Sequence, residues 1–379
     1  MNETNSETKT GAPKTLRDAA LRLAMVTGIG PRSYKHLLEE FGDPQSVLAA
    51  APSDLMKVAG IGSKVANAVS MAAETIDIQP QLRLCEDNEI SIVVNGTEAY
   101  PERLQEIYDP PNLLFSKDEL RKEDAVGIAI VGTRHATRYG LQTAERLASG
   151  LAMAGFTIVS GLARGIDAAA HRGALKVGGR TIAVLGSGLL NVYPAEHAEL
   201  AHQIANQGAV LSEYLPSQPP KSGAFPQRNR IVTGLSLGVI VVEAADRSGA
   251  LISARLADEQ GREVFAVPGR IDQRNSRGCH ALIQDGAKLV GSIDDVLDEL
   301  GPLAKPAKMG DEKTVHHPAE LKLTEQESLV LQFVETEPTP IDLVVEKSGL
   351  PVSRVLSTIS VLEIRRLIKR VSGNKLVRN

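Results

Sequence analysis

Four short segments of the 379-residue sequence carry side chains and glycines that could hold a phosphate. The first is Val131-Gly132-Thr133-Arg134-His135-Ala136-Thr137. The second is Ser160-Gly161-Leu162-Ala163-Arg164-Gly165-Ile166-Asp167, with His171 one helical turn further on. The third, Gly186-Ser187-Gly188, precedes Tyr193-Pro194. Each offers backbone N–H groups, a hydroxyl or a guanidinium to an anionic oxygen. The fourth differs in kind: Lys221-Ser-Gly-Ala-Phe225-Pro-Gln-Arg228-Asn229-Arg230 places three cations and an aromatic in ten residues. A ring between cations suits a single nucleic-acid strand, because the ring stacks on a base and the cations hold flanking phosphates. The same residues allow a plainer use, with Phe225-Pro226 plugging the core and Arg228 or Arg230 in ion pairs. Residue chemistry alone leaves both open.

No GxxxxGK[ST] phosphate loop and no GxGxxG fingerprint occurs. His171 follows an alanine run without a Ser or Cys partner, so it is expected to cap, pack or touch phosphate. Glu243 is a lone carboxylate at a strand end and defines no reaction by itself. Cys279 and His280 have the wrong spacing for zinc. No catalytic residue, metal site or cofactor is therefore expected.

The elements that must position these loops are legible as β-branched runs alternating with helix-period stretches. Strands are expected at Ile90–Val94, Val126–Val131, Thr157–Ser160, Thr181–Leu185, Ala209–Ser212, Val239–Glu243 and Glu263–Val267. Near-continuous apolar strands with intervening helices indicate βαβ units and a buried parallel sheet. The Gly-rich loops then fall at the carboxyl ends of strands, where open sheets bind ligands.

Before this region, residues 15–80 read as helical, after a polar arm over 1–14. Gly28-Ile29-Gly30 and Gly60-Ile61-Gly62 each form a tight turn between helices, with free N–H groups opening the next helix. That pair either grips a phosphate backbone or only packs. Residues 301–321 read as a linker. Residues 322–379 read as three helices and two strands around Ser372-Gly373-Asn374. Arg354, Arg365 and Arg366 fall on the third helix, Val352–Arg366, and Lys369, Arg370, Lys375 and Arg378 on the hairpin. DNA and protein contact are both open for this unit.

Composition removes several classes. There are six Phe, six Tyr and no Trp, and 42 basic against 46 acidic residues give a net charge of −4. Bulk positive charge is thus unavailable for coating nucleic acid, although local grooves are not excluded. No apolar run reaches the ~18 residues of a spanning helix, and the polar start lacks a signal-peptide core. Two cysteines are too few for a disulfide scaffold. A cytoplasmic protein with no membrane contact is expected.

The run from about Leu82 to Leu300 resembles the DNA processing protein A (DprA, or Smf) family. The resemblance rests on Ser160-Gly-Leu-Ala-Arg-Gly-Ile-Asp167 with His171, Tyr193-Pro194, Ser212-Glu213-Tyr214 and Phe225-Pro-Gln-Arg-Asn-Arg-Ile231. It continues through Ser248-Gly-Ala-Leu-Ile-Ser253 and Gly261-Arg-Glu-Val-Phe-Ala-Val-Pro-Gly269 to Leu282-Ile283 with Gly286-Ala287. It implies an α/β chain: a Rossmann-like central domain over 81–300, an N-terminal helix-hairpin-helix (SAM-like) domain, and a C-terminal winged helix. It further implies a non-enzymatic homodimer that binds single-stranded DNA and loads the RecA recombinase during natural transformation. Carried onto this sequence, the DNA site comprises Gly132, Arg134, Ser160, Gly161, Arg164, Gly165, His171, Gly186, Gly188, Lys221, Phe225, Arg228, Asn229, Arg230, Ser248 and Gly249, with Phe225 as the stacking ring. Departures touch Thr133, Ala195, Lys221 and His280. The alternative is a nucleotide-binding or nucleoside-monophosphate phosphoribohydrolase-like enzyme of the same Rossmann-like branch. Its Pro-Gly-Gly-x-Gly-Thr loop is missing from Glu243-Ala-Ala-Asp-Arg-Ser-Gly249.

Overall fold

The computed structural model describes residues 14–300, 307–309, 313–315, 323–335, 337–364, 367–371, 373 and 375–378. Residues 1–13 of the expected arm, most of the expected linker, and Arg365 and Arg366 lie outside these residues; Lys14, the arm's last residue, instead opens the first helix.

The chain begins with helices. Among them are α1 (Lys14–Met25), α2 (Pro31–Phe41) and α3 (Ser63–Ser70). Gly28 and Gly60 turn the two hairpins at φ of 97° and 86°, backbone that side chains rarely tolerate. Gly30 and Gly62 then cap α2 and α3 in extended conformation, without a side-chain cap. Leu23, Tyr34, Leu37, Leu55 and Val69 close a small core of their own. Ala20 and Leu21 of α1 instead join the core of the central sheet.

That sheet has nine strands: β1 (Ile90–Val94), β2 (Leu113–Lys117), β3 (Gly127–Val131), β4 (Thr157–Ser160), β5 (Thr181–Val184), β6 (Ala209–Ser212), β7 (Gly238–Val241), β8 (Glu263–Ala266) and β9 (Lys288–Leu289). Their spatial order is β1-β2-β6-β5-β4-β3-β7-β8-β9. From β6 through β9 all pairs are parallel. The expected parallel sheet is present over these strands, and an antiparallel pair extends it at one end. There β2 runs antiparallel to both β1 and β6, so the sheet is mixed. Strands β3 through β7 are buried along their whole length, as strands covered on both faces must be.

Helices α4 (Arg138–Met153), α5 (Ile166–Lys176), α6 (Ala224–Gly234) and α7 (Gly249–Glu259) follow β3, β4, β6 and β7 respectively. Phe156, Leu147, Ile130 and Val296 anchor the core on one face, and Leu104, Val131, Ile231 and Val239 on the other. From β3 the strands step one way to β6. The chain then returns to place β7 on the other side of β3, so the switch point lies between β3 and β7.

Within the expected linker, β10 (Ala307–Met309) pairs with β11 (Lys313–Val315). The C-terminal unit contains α8 (Glu325–Gln332), β12 (Thr339–Pro340), α9 (Ile341–Ser348), α10 (Val352–Ile364), β13 (Ile368–Val371) and β14 (Lys375–Arg378). Its strands form a three-stranded sheet around β14, a winged-helix arrangement. Val330, Val344, Val355, Ile359 and Leu376 close its core. Among the described residues no helix is long and apolar enough to cross a membrane.

Candidate nucleic-acid interface

The loops after β3, β4 and β5 converge with the first turn of α6 on a shallow pocket at the carboxyl edge of the sheet. Arg134, Gly161, Ala163, Arg164, Tyr193, Pro194, Phe225 and Arg228 line it. Phe225 is half-buried and does not plug the core. Its ring centroid lies 5.3 Å from that of Tyr193, tilted by 47°. The Arg134 guanidinium sits 5.5 Å from the same ring. Gly186 lies against the ring, since a Cβ there would come within 2.8 Å of Cδ1. An aromatic pair with a cation over it is therefore held at the pocket wall.

Arg228 forms the inner side of the pocket and is 4% exposed. Its Nη1 donates to the Val184 carbonyl at 2.6 Å, at the end of β5. Gly161 makes room for it: a Cβ at Gly161 would lie 1.8 Å from Nη1 and 2.4 Å from Cζ. Burial pushes the Arg228 guanidinium down to about 10, opposed by the Asp167 charge, so it stays cationic at neutral pH. Asp167 accepts the Gly161 N–H at 3.2 Å and the Ala163 N–H at 3.3 Å. Burial pushes its carboxyl up, while Arg228 and those two N–H groups act against that rise. One carboxylate thus shapes the loop and balances the pocket's buried cation. Between the two N–H groups, Leu162 takes a φ of 59°, a left-handed conformation uncommon outside glycine. At the rim, Arg164 pairs with Glu196 through two hydrogen bonds of 2.5 and 2.7 Å.

The switch-point crevice, where such sheets often take a dinucleotide, is closed by the protein itself. The Glu243 carbonyl accepts the Thr133 N–H at 2.7 Å. Its carboxylate accepts from the Thr137 N–H at 2.9 Å and from the Thr137 hydroxyl. Gly140 leaves space for that carboxylate, which a Cβ would approach to 2.5 Å. Glu243 is therefore a buried cap on α4.

Several expected site residues are placed elsewhere. His171 is fully buried, with Nδ1 2.7 Å from the Thr181 hydroxyl, and does not line the pocket. The Ser160 hydroxyl is buried and donates to the Ile130 carbonyl. Arg230 is buried against Glu213 and Asp109 and faces away from the pocket. Lys221 is exposed and Asn229 half-buried, and neither lines the pocket. Ser248 caps α7 through the Ala250 N–H, and Gly249 opens that helix. Gly132, Gly165 and Gly188 are packing glycines, whose Cβ atoms would meet Ile166, the Thr133 carbonyl and the Leu215 carbonyl. Three lining residues, Ala163, Tyr193 and Pro194, were absent from the expected set. The scarcity of aromatics and the position of Tyr193 just beyond the third glycine loop were the available signal.

Comparison with known proteins agrees with this architecture. Residues 91–301 match the family model for DNA recombination-mediator protein A. This chain belongs to the DprA/Smf family. Residues 20–75 match a SAM-like helix-hairpin-helix tandem, and 315–374 a DprA winged-helix domain. Protein Smf of Synechocystis is 33% identical over 94% of this chain and 98% of its own length. DprA of Streptococcus pneumoniae is 50% identical over 53% of this chain and 71% of its own. The X-ray structure of the pneumococcal DprA superposes with a TM-score of 0.64 at 39% identity, covering 74% of this chain and 95% of that one. A Helicobacter pylori DprA structure, described for its single-stranded DNA binding mode, gives 0.51 at 34% identity, over 56% and 95%.

Proposed function

We propose that this DprA/Smf-family chain binds single-stranded DNA at the Arg134–Phe225–Arg228 pocket. Acting as a homodimer, it protects incoming strands and loads a RecA-type recombinase onto them. The observation that carries the reading is the ring of Phe225, held half-exposed between Tyr193 and Arg134 above a buried Arg228. A base stacks on such a ring whatever its identity, and the guanidinium groups face its phosphates. The single-strand binding described for the H. pylori relative supports it. No observation favours the phosphoribohydrolase-like alternative, because both carboxylate oxygens of Glu243 are engaged by Thr137.

Titration of labelled oligo-dT tests this. Phe225→Ala is expected to weaken binding by about 1–3 kcal/mol, the worth of one stacked base. Wild-type affinity should fall steeply with salt. Equal affinity for duplex and single strand, or an unchanged Phe225→Ala variant, would sink the reading. The recombinase step is checked by whether the protein speeds RecA filament growth on oligo-dT, and Phe225→Ala should lose that gain.

A further inference from the structure

A second opening lies on the far side of α6, between the helix-hairpin-helix domain and the central domain. It is a cleft of about 430 Å³, within the ~300–1,000 Å³ of small-ligand sites. Arg32 from α2, Tyr108, Gln227, Arg230 and Gln260 are among the residues that line it. Tyr108 is 67% exposed. The Arg32 guanidinium lies 5.0 Å, and the Lys35 ammonium 5.6 Å, from its ring centroid. Lys35 also donates to the Tyr108 carbonyl at 3.0 Å, which ties the two domains together here.

Two polar atoms in the lining have no partner. Arg230 is 6% exposed, and its Nη1 is buried without a hydrogen bond. Gln260 Oε1 is likewise buried and unbonded, while its Nε2 donates to the Arg230 carbonyl. A buried unpaired donor costs about 1–3 kcal/mol, so it points to something that fills the place. The two carboxylates in the lining are already engaged, Asp109 by Arg230 and Glu259 by Arg255.

We propose that this cleft is a second nucleotide subsite for the same single strand, with a base stacked on Tyr108. Arg32 and Lys35 hold its phosphate, and Arg230 Nη1 with Gln260 Oε1 meets the base edge. Every base edge sets a donor beside an acceptor, so the subsite is sequence-tolerant. Helix α6 is the shared wall: Phe225 and Arg228 face the first pocket, and Pro226, Gln227 and Arg230 face the second. A strand leaving Phe225 crosses one helix, about 10 Å wide, to reach Tyr108. The assignment rests on the single-strand reading of the first pocket.

Fluorescence anisotropy with oligo-dT of about 4 and about 16 nucleotides separates the two. Tyr108→Ala should weaken the long oligonucleotide at least about fivefold and leave the short one unchanged. Tyr108→Phe, which keeps the ring, should bind both like wild type. Phe225→Ala should weaken both lengths. If Tyr108→Ala holds the long strand as tightly as wild type while Phe225→Ala does not, the second subsite is overturned and the first pocket stands. If Phe225→Ala is also unchanged, both fall. Binding of free dTMP that Tyr108→Ala abolishes, without a length-dependent loss for oligo-dT, would assign the cleft to a free nucleotide and overturn the strand path.

Discussion

Arg228→Ala should remove nearly all oligo-dT binding and lower folding stability by about 3 kcal/mol. The two effects have one origin. The guanidinium is enclosed, with Nη1 on the Val184 carbonyl, and of the two positive charges that offset the burial of Asp167, its own and that of Arg134, it is the stronger. Removing it strips that carbonyl of its donor and leaves Asp167 buried with its two N–H partners and only the weaker influence of Arg134. The loop they shape, Gly161 to Ala163, is a wall of the pocket, so geometry is lost together with charge. Gly161→Ala should act through the same atoms from the other side. Its methyl would need the space of the guanidinium, and because Arg228 is buried the side chain cannot simply swing away. Overpacking of this kind costs about 1–3 kcal/mol, and the affinity loss should approach that of Arg228→Ala. Chemical denaturation and oligo-dT titration of both variants check the pair. A Gly161→Ala protein that binds like wild type would show that the slot does not position Arg228.

The same residues show how far the sequence could be read. All seven expected strands are present within a residue or two, because short β-branched runs, most of them bordered by glycine, admit little else. Leu113–Lys117 escaped notice since it follows Pro110-Pro111 and ends in charges, and its partners lie antiparallel at the sheet edge. Lys288–Leu289 is an exposed two-residue edge with no pattern at all. For the site, Arg134, Gly161, Arg164, Phe225 and Arg228 were legible from their place at strand ends. Arg230 was not, for a geometric reason. The segment from Lys221 to Arg230 reads as a loop, in which every cation could turn to one ligand. It is in fact a helix from Ala224, and the 3.6-residue period puts Arg228 on the face of Phe225 and Arg230 on another. Glu243 looked free because its partners, Thr133 and Thr137, lie more than a hundred residues earlier in the chain. His171 looked available because an alanine run does not say which side faces the sheet.

His171 should make the protein acid-sensitive in a window where most carboxylates are still ionised. Burial, with smaller contributions from the Arg228, His197 and Arg172 charges, pushes the imidazole down from 6.5 to about 3. Hydrogen bonding explains why no proton is welcome. The Thr181 hydroxyl donates to the Ile158 carbonyl, so it must accept from His171, which assigns the imidazole hydrogen to Nδ1. Nε2 is then a bare, buried nitrogen with no partner, and protonation would place a charge there without a counterion. As pH falls the unfolded chain takes this proton first. The stabilisation is therefore complete above about 6.5 and is lost progressively toward about 3. At ~1.4 kcal/mol per unit, the loss from pH 6.5 to 5 amounts to about 2 kcal/mol. Asp167 and Glu213 have raised carboxyls and tilt the curve the other way, since the folded state binds their protons first. They are common to the wild type and to His171→Asn, so the difference between the two proteins isolates the imidazole. Denaturant unfolding at stepped pH should show the wild type losing about 2 kcal/mol relative to His171→Asn across that interval. Parallel curves would mean that Nε2 finds a partner once protonated, and that the core around Thr181 opens at a lower cost than its burial implies.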